Sequence, residues 1–254
     1  RIYFTTGGST AVDSALRLCQ LASNIKGQPH RKHILTREKA YHGSTYLSAS
    51  ITGKERDKTA MDIMRDGVHF LSAPCYFYHP EFATEAEFCD FLVDELEQKI
   101  LELGPENIMC FIAEPVMASG GVIVPPADYN YRCWQMVKKH EITYIADEVV
   151  TAFGRLGYWF ASEKVFGIVP DIIIFAKGVT SGYIPMGGYA VSESFLDSFS
   201  GDNAEGCLYS NGYTWGGSPV ACAAALASWD IIEKEELLDR VLEIGPYFQQ
   251  QLQT

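Results

Sequence analysis

Ile142-Thr143-Tyr144-Ile145-Ala146-Asp147-Glu148-Val149 and, further on, Asp171-Ile172-Ile173-Ile174-Phe175-Ala176-Lys177-Gly178 decide the fold. Each is a short continuous apolar run, the pattern of a strand buried on both faces of a parallel sheet. Each also delivers one ionisable side chain at its C-terminal end, the rim where open α/β sheets place their ligands. A lysine leaving a strand into a Gly-rich loop can form a Schiff base. An aspartate on a neighbouring strand can hold a pyridinium nitrogen protonated. Together Lys177 and Asp147 point to pyridoxal phosphate, whose electron sink needs both groups.

Outward from these runs, strand and helix patterns alternate along the chain, which predicts an α/β fold with a mostly parallel sheet and helices on both faces. Strands are expected over residues 2–6, 33–36, 68–72, 107–113, 142–146, 171–175 and 188–191. Helices are expected over 10–26, 85–103, 129–140 and 219–232. Ala11, Ala15, Leu18 and Ala22 form one apolar helical face. Gly104-Pro105 closes the third-turn-rich helix 85–103. The chain opens in a strand without a start methionine and stops inside a helical pattern that runs from Glu236. Both ends read as cut, as expected for the interior of a longer protein.

The 254 residues, 47% hydrophobic and 20% charged, suit a globular α/β chain. A net charge of −12 argues against a nucleic-acid footprint, and the basic cluster from Lys26 to Lys39 reads as a solvated loop. No stretch approaches a membrane span and no secretory leader is present. Seven cysteines without a CxxC pair fit reduced thiols and a cytoplasmic setting. His30-Arg31-Lys32-His33 and Cys75-Tyr76-Phe77-Tyr78-His79 lack a credible zinc ligand set.

Further motifs fall between the predicted elements. Thr6-Gly7-Gly8-Ser9-Thr10 joins a strand to a helix, where glycine amides, the helix dipole and the Ser9 hydroxyl can meet an anion. It is neither a GxGxxG pattern nor a P-loop, and alone it reads equally as a turn with a helix cap. Tyr41-His42-Gly43 offers an aromatic for a cofactor ring, or simply a loop residue packed on the core. Glu114-Pro115 ends a strand on the rim shared with Asp147 and Lys177, where a surface acid is the plain alternative. Asp147 follows Ile145 and Ala146, so it needs a partner: a cofactor nitrogen, or an arginine in a structural ion pair. Lys177, taken alone, reads as a solvated surface amine; beside a cationic cofactor and desolvated, it would be a nucleophile and base. Tyr213-Thr214-Trp215-Gly216-Gly217 precedes a helix and offers a threonine hydroxyl to a phosphate or to the helix N-terminus.

With these residues on the page, the chain resembles the class III (ω-amino acid type) pyridoxal-phosphate-dependent aminotransferases of fold type I. The resemblance spans essentially the whole sequence. It rests on Gly7-Gly8-Ser9-Thr10-Ala11, Tyr41-His42-Gly43, Glu114-Pro115-Val116, Ala146-Asp147-Glu148-Val149-Val150, Phe153-Gly154-Arg155-Leu156-Gly157, Pro170-Asp171, Ala176-Lys177-Gly178 and Asn211-Gly212-Tyr213-Thr214. It implies that Lys177 holds the cofactor as a Schiff base and shuttles a proton, and that Asp147 pairs with the ring nitrogen. It implies Val149 and Tyr41 on the two ring faces, Gly8 and Ser9 on the phosphate, and Glu114 among the cofactor-binding residues. Thr214 would reach the phosphate of the neighbouring subunit, so a homodimer, or a tetramer built from such dimers, is expected. Residues 1–235 would form the large cofactor-binding domain and residues 236–254 the start of a C-terminal small domain, with flanking small-domain parts lying outside the sequence.

Three positions depart from the family pattern. Val150 stands where relatives offer a glutamine to the ring hydroxyl. Ser119 stands where the ornithine and 4-aminobutyrate branch has a glutamate that pairs with a carboxylate-binding arginine, which places this chain nearer the ω-amino acid or amine:pyruvate branch. Asn211 and Ser218 replace histidines of the segment around Thr214. The expected function is transfer of an amino group from an ω-amino acid or primary amine to a 2-oxo acid such as pyruvate, by a ping-pong mechanism. Two alternatives are an aminomutase, racemase or decarboxylating lyase on the same scaffold, and a relative that has lost catalysis. Intact Lys177 and Asp147 weigh against the latter.

Overall fold

The computed structural model describes residues 1–199 and 205–253. In chain order the main elements are β1 (Ile2–Thr5), α1 (Gly8–Ile25), β2 (His33–Arg37), α2 (Tyr46–Ile51), β3 (Val68–Leu71), α3 (Glu85–Leu103), β4 (Ile108–Ala113) and α4 (Tyr129–Lys139). Then come β5 (Thr143–Asp147), α5 (Ala161–Phe166), β6 (Ile172–Phe175), β7 (Gly187–Val191), α6 (Glu193–Leu196), α7 (Pro219–Lys234) and α8 (Leu237–Leu252). Every expected element is present, with ends displaced by one or two residues. The larger change is at the first helix. Gly8 and Ser9, expected in a turn, already belong to the first turn of α1, and Gly7 is its extended N-cap.

The strands form one seven-stranded sheet in the order β1-β7-β6-β5-β4-β2-β3. Pairings from β6 through β3 are parallel, and β7 runs against both of its neighbours, β1 and β6. Alternation along the strands sorts side chains between the two faces. Ile34, Cys110, Ile112, Ile145, Ile172 and Ile174 pack with Ala11, Val12, Ala15 and Cys19 of α1. Leu35, Phe111, Tyr144 and Ala146 pack on the opposite side with Phe88, Leu92 and Leu96 of α3 and with Cys133 and Val137 of α4. The sheet is therefore covered on both faces, as the continuous apolar runs require.

This layering positions the functional rim. β5 lies between β4 and β6, so Asp147, the residue after Ala113 and the residues after Phe175 emerge side by side at the C-terminal edge. Asp147 comes two residues after Ile145 and so shares its face, the one covered by α1. The first turn of α1 begins at that same edge, because β1 leads into it through only Thr6 and Gly7. The boundary expected between residues 235 and 236 falls where Glu236, at φ 51°, breaks α7 from α8. Thr254, the end of the segment 236–254, lies outside the described residues.

Candidate active site

A cavity of about 750 Å³ opens at this rim, lined by residues that include Gly8, Ser9, Tyr41, Glu114, Asp147, Val149 and Lys177. Seven of the eight site residues read from the sequence thus line one space. Thr214 does not. It is exposed in the turn before α7, and Ser218 caps that helix by accepting from the Ala221 N–H at 3.4 Å. Asn211, the other departure in this segment, donates to the Ser14 hydroxyl at 2.9 Å. Val150 and Ser119 line the cavity.

The N-terminus of α1 forms one wall. Its first amides have no acceptor within the helix, and the helix dipole adds positive potential there. The Ser9 hydroxyl oxygen accepts from the Ser44 N–H at 3.1 Å, which leaves its proton to donate elsewhere. On the opposite wall Asp147 is buried and fully engaged. Its Oδ1 accepts from the Val149 N–H at 3.1 Å, and its Oδ2 lies 2.7 Å from His42 Nδ1. The His42 ring is itself buried, with Nε2 at 3.2 Å from the Thr36 hydroxyl. The partner of Asp147 on the protein side is therefore a histidine and not the arginine that a structural ion pair would use.

Glu114 is buried at the end of β4, where its Oε1 accepts from the Tyr41 N–H at 3.0 Å and its carbonyl accepts from Arg37 at 2.5 Å. Burial raises its pKa, His42 pulls it down and the charge of Asp147 raises it further. Lys177 follows β6 with φ 40°, a left-handed conformation that costs a non-glycine residue about 1 kcal/mol or more and recurs at functional sites. Its side chain is exposed to the cavity. The protein's own side chains therefore do not supply the desolvation expected of this amine.

Two groups that matter were not singled out in the sequence. His42 sits inside Tyr41-His42-Gly43, where the aromatic took the attention, and its partner Asp147 is 105 residues away. Glu148 is fully buried and gathers the Ala161 and Ser162 amides and the Ser162 and Thr151 hydroxyls, at 2.5–3.0 Å. A charged residue directly after an apolar run was the available signal, and Asp147 absorbed it.

Pyridoxal phosphate presents a phosphate, a ring nitrogen and an aldehyde, and the cavity offers a counterpart to each. Helix-end amides and Ser9 suit the phosphate, Asp147 the protonated nitrogen, and Lys177 the aldehyde. The floor is shaped for a flat ring as well. A Cβ at Gly8 would come within 3.3 Å of Val149 Cγ1, filling the cradle between helix and strand. Among the described residues no group of three or more His, Cys, Asp or Glu could hold a metal ion, and no helix is long and apolar enough to cross a membrane.

Fold and cavity together define an α/β enzyme built around pyridoxal phosphate. The chain belongs to the class III aminotransferases: the profile of that family, "Aminotransferase class-III", matches residues 1–254. It is 42% identical over its whole length to gamma aminobutyrate transaminase 1, mitochondrial, of Solanum lycopersicum, and covers 49% of that protein. A thermostable (S)-enantioselective omega-transaminase from Thermomicrobium roseum superposes with TM-score 0.94 at 38% identity, over 99% of this chain and 55% of that one. An amine transaminase from an uncultivated Pseudomonas species, solved in its PLP-bound form, gives TM-score 0.93 at 37% identity, over 100% of this chain and 57% of that one. The chain thus spans about half the length of the curated relatives it matches, and its fold is that of the fold type I transaminases.

Proposed function

We propose that the protein moves an amino group from an ω-amino acid or a primary amine to a 2-oxo acid, pyruvate among them, in a ping-pong reaction. One observation carries the reading: the Lys177 amine and the Asp147 carboxylate line the same cavity as the N-terminus of α1. The cofactor, when bound, supplies an electron sink that weakens the substrate's Cα–H bond. Lys177 anchors it and moves the proton at that carbon. Asp147, steadied by His42, keeps the ring nitrogen protonated. Gly8 and Ser9 hold the phosphate, Val149 and Tyr41 pack the ring faces, and Glu114 fixes the Tyr41 loop through its backbone amide.

In the same reading residues 1–235 are the cofactor-binding domain and residues 236–254 lead into a smaller one. Thr214, exposed and away from its own chain's cavity, reaches the phosphate of a second subunit in a homodimer. Buried free thiols at Cys19, Cys89, Cys110 and Cys133 support a reducing compartment such as the cytoplasm. The names of the tomato and Thermomicrobium relatives support a donor whose amine is remote from, or lacks, a carboxylate.

The test is a Lys177→Ala variant of the full-length protein, followed by absorbance of the lysine-bound cofactor and by amino transfer to pyruvate. Both signals should vanish. Unchanged turnover overturns the proposal.

A further inference from the structure

The cavity has a gap in its chemistry. An ω-amino acid or a 2-oxo acid brings a carboxylate, which needs a cation or strong donors once out of water. Among the described lining residues the basic ones are His42 and Lys177. His42 is turned to Asp147, and Lys177 serves the cofactor. The nearest further ammonium belongs to Lys54, which touches two lining residues: Nζ is 3.4 Å from the Ser119 hydroxyl and 5.6 Å from the Tyr41 ring centroid.

Lys54 is placed there by backbone and not by chance of rotamer. The Gly53 N–H donates to the Ala40 carbonyl at 2.8 Å, and the Gly53 carbonyl accepts from the Lys39 N–H at 2.9 Å. This clamp ties the stem of Lys54 to the segment that carries Tyr41. It is so close that a Cβ at Gly53 would fall 2.1 Å from the Arg37 carbonyl oxygen and 2.8 Å from Lys39 N. The ammonium has three protons. Ser119 takes one, Asp57 Oδ2 at 3.2 Å takes another, and the described residues supply no acceptor for the third.

Asp57 is a weak competitor. It is half-exposed, and it leans also on Arg56 at 3.3 Å, so it stays paired if Lys54 turns to a ligand. Exposed pairs of this kind contribute about 0–1 kcal/mol. Lys54 itself keeps only 21% of its side-chain surface in solvent, so its charge is less screened than that of a free surface lysine.

We propose that Lys54, with the Ser119 hydroxyl, is the carboxylate anchor at the mouth of the site, selecting amino donors and acceptors that bear a carboxylate over plain amines. The inference rests on the aminotransferase reading for which substrate it serves, but not for the binding itself. Ser119 then has a definite role: a small hydroxyl that leaves room for the lysine and shares its ligand.

The experiment titrates the cofactor-loaded, full-length protein with butanoate by calorimetry. Butanoate has a carboxylate and no amine, so it cannot react. Lys54→Met should weaken binding about tenfold or more, the worth of a charge-assisted hydrogen bond, while Lys54→Arg stays near wild type. Asp57→Asn should tighten binding, a gain that structural damage cannot produce. In parallel, the ratio of kcat/KM for 4-aminobutanoate to that for propylamine should fall about tenfold in Lys54→Met. Butanoate binding that Lys54→Met leaves unchanged, or that Asp57→Asn weakens, overturns the inference. Absence of amino transfer from any donor in the wild type, with the butanoate pattern intact, would overturn the aminotransferase reading instead.

Discussion

His42 Nδ1 donates to Asp147 Oδ2 across 2.7 Å, with both side chains buried beneath the cavity. An ionised carboxylate only accepts, so Nδ1 carries the proton and Nε2 faces the Thr36 hydroxyl. The pair fixes the carboxylate's orientation and satisfies the oxygen that does not face Val149 N. His42→Leu keeps the volume and leaves that oxygen unpaired. A buried charged hydrogen bond is worth about 1.5–3 kcal/mol, so cofactor affinity should fall about ten- to a hundredfold. Absorbance titration of the variant with pyridoxal phosphate reads it directly, and wild-type affinity would show that His42 is only filler.

Gly43 controls the anion end of the same cavity. Its φ of 136° lies where side chains are strained, and a Cβ there would sit 2.5 Å from the Ser9 and Ser48 hydroxyl oxygens and 2.8 Å from Ser9 Cα. The clash with backbone cannot be relieved without moving the first turn of α1. Gly43→Ala should therefore weaken binding of pyridoxal phosphate by about 1–3 kcal/mol. Binding of pyridoxal, which lacks the phosphate, should change less. An equal loss for both ligands would place the damage away from the phosphate end.

Much of this was legible from residues alone, for a physical reason. Runs such as Ile172-Ile173-Ile174-Phe175 are buried on both faces, so composition marks them without help from tertiary context. The ends of those runs then locate Asp147, Glu114 and Lys177 on one rim. What stayed hidden depends on contacts distant in sequence. No local pattern says that β7 inserts antiparallel between β1 and β6, or that His42 reaches Asp147. The start of α1 was misplaced because Gly8 and Ser9 are poor helix formers, and tertiary packing against Val149 overrides that preference.

Glu148 holds the chain that follows β5. Its carboxylate accepts from Ala161 N at 2.7 Å, Ser162 N at 2.8 Å and the Thr151 hydroxyl at 3.0 Å, tying the start of α5 to the strand end. Removing it leaves several buried donors without acceptors. Glu148→Ala should destabilise the protein by about 3 kcal/mol or more. A lower denaturant midpoint checks this; a shift under about 1 kcal/mol, the range of ordinary surface substitutions, would refute it.

Glu114 gives the site a pH-dependent stability with a definite sign. Burial lifts its pKa above the ordinary 4.5, and the nearby Asp147 charge adds to the lift against the pull of His42 and Arg37. A carboxyl raised in this way binds more protons folded than unfolded. Its contribution to stability is therefore complete below 4.5 and is lost as pH rises through the folded value. Glutamine at this position keeps a carbonyl oxygen for the Tyr41 N–H, which Glu114 Oε1 accepts at 3.0 Å, and carries no charge. Measured on cofactor-free protein, Glu114→Gln should gain thermal stability over the wild type as pH rises from about 4 to about 8. Its advantage should be smallest at the acid end, where the wild-type carboxyl is already neutral. A difference in melting temperature that stays constant across that range would mean that Glu114 does not titrate with its raised pKa.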